Sequence, residues 1–87
     1  MKKNPTDMYR VLRFCGAEHP IVQGDCPVLA DARRMAREAI RSMTGEIPVW
    51  CPAKCWHPDS MAPGRLPIGG FDIESSYKAA VIYKKIA

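Results

Sequence analysis

The eight residues Cys51-Pro52-Ala53-Lys54-Cys55-Trp56-His57-Pro58 hold two thiols, an imidazole and two prolines. Structural zinc takes four Cys or His ligands at tetrahedral geometry, commonly from two short knuckles that bring paired ligands together. Cys51 and Cys55 are spaced CxxxC, one residue wider than the favoured knuckle, and His57 follows at once. A further ligand must come from Cys15, His19 or Cys26, and the candidate zinc set is Cys51, Cys55, His57 and Cys26. No second knuckle repeats the first. The competing reading needs no cofactor: Cys15 and Cys26 are small buried hydrophobes, and Cys51 and Cys55 line a rigid, partly buried turn. That reading is preferred, with zinc its rival. A Cys51–Cys55 disulfide closes a very short ring and is disfavoured in a reducing compartment.

A cysteine nucleophile needs a base and a third group that orients the base. Cys55 and His57 are near in sequence, but no CxxC and no glycine frame accompanies them, so no catalytic residue is assigned and the chain is expected to be non-enzymatic. Gly69-Gly70 matches neither a Walker nor a dinucleotide-binding pattern. Recognition chemistry is better represented. Arg34, Arg37 and Arg41 recur at helical spacing, and a guanidinium fork suits phosphates and carboxylates. Trp56, with Lys54 and Arg65 close in sequence, forms a second candidate contact surface, because Trp and Arg dominate interface hot spots. The plainer readings stand beside these: a solvated helix back with Arg34 paired to Glu38, and Trp50 and Trp56 as core anchors.

Eighty-seven residues allow one small domain with one core. The composition, 47% hydrophobic and 25% charged, is that of a globular protein. A net charge of +4 and a pI near 9.0 favour an anionic partner, either nucleic acid, a nucleoprotein or an acidic protein surface. No apolar run is long enough to span a membrane, and the first residues lack the apolar core of a signal peptide, so a cytoplasmic location without membrane partners is expected. Oligomeric state is not fixed by the sequence.

The elements that must carry these residues follow from periodicity. A tail over 1–7 precedes a strand over Met8–Cys15, and a short strand over His19–Gly24 is entered through Pro20 and closed by Gly24. Val28, Leu29, Ala32, Met35, Ala36, Ala39, Ile40 and Met43 mark the buried face of a helix. Asp25 or Cys26 stands at its cap, Pro27 in its first turn and Gly45 past its end. Glu46–Trp50 reads as an edge strand or a strand start, and 51–67 as a proline-rich loop. Residues 68–87 alternate as a hairpin turning at Ser75-Ser76, with a C-terminal helix as the competing assignment. The fold class is therefore α+β: a small antiparallel sheet with one amphipathic helix packed on one face.

Ile21-Val22-Gln23-Gly24-Asp25, followed by the run from Asp31 to Ile40, resembles the strand, turn and alanine-rich helix of short phage-encoded α+β proteins, anti-CRISPR proteins among them. It is also similar to the corresponding part of HicB-type antitoxins, from which the proline-rich loop departs. The resemblance covers about a quarter of the chain. It implies a protein of phage or mobile-element origin acting in a bacterial host cell. Such a protein inhibits a host nucleic-acid-targeting complex by occupying a protein or ribonucleoprotein site, with nucleic acid as a further possible partner. An antitoxin-like, zinc-stabilised nucleic-acid-binding module is the alternative.

Overall fold

In the computed structural model the described residues are 8–16, 18–73 and 77–86. The strands are β1 (Tyr9–Cys15), β2 (Ile21–Cys26), β3 (Val49–Pro52), β4 (Arg65–Ile73) and β5 (Lys78–Lys85), and the helix α1 spans Leu29–Thr44. They form one five-stranded sheet in the order β2-β1-β5-β4-β3, with every neighbouring pair antiparallel. The fold is the α+β arrangement that the sequence implies, and residues 68–73 and 78–85 lie in strands, not in a helix. The tail over 1–7 and the turn at Ser75-Ser76 lie outside the described residues.

The helix forms where its small residues recur. Ala32, Ala36, Ala39 and Ile40 are buried against the sheet, and Leu29, Met35 and Met43 pack around them. Three alanines on one face allow close approach to the strands, where Val11, Cys26, Phe71, Ile73, Ala80 and Ile82 complete the core. The cap differs from expectation. Val28, not Asp25 or Cys26, is the N-cap; it offers no side-chain acceptor and is itself 48% exposed. Asp25 and Cys26 end β2 instead, because Asp25 pairs with Arg10 and Cys26 is buried under the helix. At the other end Gly45 takes a left-handed φ of 72° and donates its N–H to the Arg41 carbonyl, as the glycine predicts.

Boundaries move where long-range contacts decide them. Gly24 lies inside β2, not at its end, and its bare Cα admits the Met35 side chain, which lies 2.9 Å from where a Cβ would stand. Residues 51–67 divide among several elements: Cys51 and Pro52 join β3, Ala53–Cys55 form a 3-10 turn, and Arg65 and Pro67 open β4. The intervening stretch, 56–64, brings Trp56 and Ala62 onto the sheet face opposite α1, over Leu12, Ala79, Val81 and Tyr83. Central strand β5 is thus covered on both faces, and Ala79, Ala80, Val81, Ile82 and Tyr83 are all buried in succession.

Candidate functional site

The face of α1 turned from the sheet carries Arg34, Arg37 and Arg41, all exposed. At 1.5 Å rise per residue the three span roughly 10 Å of helix, as one ridge. Arg34 Nη2 lies 2.9 Å from Asp31 Oδ1, an i,i+3 pair that takes the place of the expected contact with Glu38. Asp31 sits in the first turn and Arg41 in the last, each complementing the helix dipole. Among the described residues, the Arg37 and Arg41 side chains form no ion pair or hydrogen bond. Arg33, on the flank, is committed elsewhere: its guanidinium carbon stands 4.5 Å from the ring centroid of Trp50.

The second candidate surface is not continuous with this ridge. Trp56 is half-buried on the sheet face opposite the helix, and its indole N–H donates to the Cys51 carbonyl at 3.2 Å. Arg65 is buried, and its guanidinium donates to the carbonyl of Met8, just before β1, so it is an internal tie and not an exposed contact. Lys54 alone of this group is exposed, on the 3-10 turn. Trp50 behaves as an anchor, edge-on to Phe71 with centroids 5.0 Å apart.

The Cys and His residues are distributed, not gathered. Cys26 lies on β2 and Cys51 on β3, the two opposite edges of the sheet, separated by four strand spacings of about 4.8 Å or roughly 19 Å. A single ion cannot bridge that span, so Cys26 cannot complete a set with Cys51, Cys55 and His57. Burial, followed by the charges of Asp31 and Asp25, pushes the Cys26 thiol above its ordinary value, which disfavours the thiolate a metal requires. Cys55 and His57 are exposed, and the His57 carbonyl accepts the Tyr83 hydroxyl at 3.1 Å. Among the described residues no group of three or more Cys, His, Asp or Glu is arranged to hold a metal ion.

One polar constellation escaped sequence reasoning. Arg10 on β1 engages Asp25 on β2 through both carboxylate oxygens, Nε–Oδ1 2.9 Å and Nη2–Oδ2 3.0 Å. Its Nη1 also donates to the Met61 carbonyl at 3.2 Å, which ties the covering segment to the sheet. The hydrogen bond from Arg10 holds the Asp25 carboxyl below the usual carboxylate range. Only the register that sets Arg10 opposite Asp25 reveals this clamp. No protein-family model, curated protein or solved structure matches this chain.

Proposed function

We propose that the chain is a small non-enzymatic binding protein whose contact surface is the arginine ridge of α1. In this reading it occupies an acidic site on a host nucleic-acid-targeting ribonucleoprotein of the CRISPR type and so inhibits that complex. The supporting observation is the pairing of an alanine-lined inner face, which fixes the helix to the sheet, with an outer face whose Arg37 and Arg41 have no partner among the described residues. A rigid helix has no backbone ordering left to lose on docking, so only the arginine side chains must be immobilised when their forks meet carboxylates or phosphates. The inhibitory role and the cellular setting come from the resemblance of residues 21–25 and 31–40 to short phage proteins. The test titrates the purified chain into a purified CRISPR-type ribonucleoprotein and measures target-DNA binding. Stoichiometric loss of target binding is expected, and target binding unchanged at excess chain rejects the reading.

A further inference from the structure

Arg13 and Lys78 are like charges on the helix-side face of adjacent strands. The β1–β5 register pairs Arg13 with Ala80 and Cys15 with Lys78, which makes Arg13 and Lys78 diagonal neighbours. Diagonal side chains of this kind lie within reach of one another, and like charges so placed repel. Their partners across the sheet are Ile21 beside Arg13 and Ile73 beside Lys78, so the register supplies no carboxylate. Among the described residues, neither Arg13 nor Lys78 forms an ion pair. The two cations line an open cleft of about 220 Å³ that the end of α1, at Met43, leaves uncovered, and His19 joins them from the segment between β1 and β2. Among the described residues, Glu18 is the one carboxylate in the lining.

From this arrangement we infer that the cleft of Arg13, His19 and Lys78 is a binding site for a phosphate monoester. Among the described lining residues two fixed cations stand against one carboxylate, a positive balance that does not need a charge on His19, and a dianion placed between Arg13 and Lys78 relieves their repulsion. Arg13 supplies the fork and Lys78 the point charge that phosphate oxygens accept, and His19 adds a ring N–H. The cleft is smaller than the roughly 300–1,000 Å³ of pockets that enclose drug-sized ligands, so it takes the phosphoryl group and leaves the rest of the ligand in water. Two sources carry that group: a free mononucleotide and the 5′-phosphorylated end of an oligonucleotide. The site lies apart from Arg34, Arg37 and Arg41 and does not depend on their role.

The test follows backbone amide NMR shifts during titration with inorganic phosphate, adenosine monophosphate, adenosine, and a short oligonucleotide with and without a 5′-phosphate. Saturating shifts centred on Arg13, Cys15 and Lys78 are expected with the three phosphate-bearing ligands and not with adenosine or the 5′-hydroxyl oligonucleotide. Tighter binding of the oligonucleotide than of the mononucleotide assigns the site to a nucleic-acid end, and the reverse order to a free nucleotide. Removal of one charge by Lys78→Gln should weaken phosphate binding by about tenfold, and Arg13→Lys, which keeps charge but loses the fork, by less. Both variants are checked for an unchanged thermal midpoint, and Lys85→Gln, at the far end of β5 from Lys78, serves as a control that leaves the affinity intact. No saturating shift at tens of millimolar phosphate, or an affinity indifferent to Lys78→Gln in the folded variant, overturns the inference.

Discussion

The indole of Trp50 stands where a side chain on Gly69 would have to go, its Cη2 2.7 Å from the position of a Cβ there. Gly70, the next residue, faces the opposite side of the sheet and carries Trp56, whose Cε2 lies 3.0 Å from the corresponding Cβ position. The glycine pair is thus a seat for two tryptophans, one on each face. Trp50 joins the core beneath α1, and Trp56 anchors the segment that closes the other face.

Gly69→Ala should therefore destabilise the fold by about 3 kcal/mol, combining overpacking with the strain of a positive φ. The backbone there has φ 153°, a value that L side chains rarely adopt. Gly64, at φ 69° with open space around it, tests a left-handed backbone without crowding. Gly64→Ala should cost only about 1 kcal/mol. Urea unfolding of the two variants checks the difference, and equal losses would show that Trp50 yields freely.

Tyr83 is buried against the segment 56–64, and burial, followed by the charge of Asp59, pushes its hydroxyl up to about 12. A raised phenol contributes stability that is fully present below the unfolded value near 10 and is lost as pH rises through the folded value. Unfolding at pH 8 and at pH 11 should show that alkaline loss in the parent chain. Tyr83→Phe should cost about 1 kcal/mol at pH 8 through the hydrogen bond to the His57 carbonyl and should flatten the alkaline decline.

The Arg10–Asp25 clamp works in the opposite direction. A carboxyl held below its ordinary value contributes stability present above about pH 4 and lost as pH falls through the lowered value. Both side chains are partly exposed, so Asp25→Asn should cost no more than about 1 kcal/mol at neutral pH. Thermal midpoints between pH 2 and 7 check the sign: the gap between parent and variant should narrow on acidification.

If the arginine ridge meets phosphates, the salt dependence counts them. Three neutralised phosphates give a slope of log K against log salt of about −2 to −3, and fewer contacts give less. Fluorescence anisotropy with a random-sequence oligonucleotide measures it. A steep slope that survives charge reversal at Arg37 and Arg41 would move the contact to another part of the surface.

Sequence periodicity carried the helix and most of the strands because both are local patterns. Ala32, Ala36, Ala39 and Ile40 mark the buried stripe whatever they pack against, and Gly45 ends the helix through its own backbone freedom. Long-range relationships were not legible. Asp25 has the residue type and position of a helix cap, and only the register with β1 shows it held by Arg10. Arg65 reads as a surface cation, yet strand β4 delivers it to the carbonyl of Met8. Cys26 and Cys51 read as potential co-ligands until the sheet order sets them on opposite edges. The burial of β5 on both faces depends on a segment whose sequence, rich in proline, shows no periodicity. The ridge of Arg34, Arg37 and Arg41 was legible because it is the complement of the helix's apolar stripe.

The central claim is that this ridge is the surface through which the chain acts. Its most direct test compares the parent chain with the double variant Arg37→Glu, Arg41→Glu for affinity to a CRISPR-type ribonucleoprotein, alongside thermal melting. Both positions are exposed, so the melting midpoint should shift by only a few degrees at most. Affinity should fall by about a hundredfold or more, since attractive contacts become repulsive ones. An affinity that stays at the parent value while the variant remains folded would contradict the account.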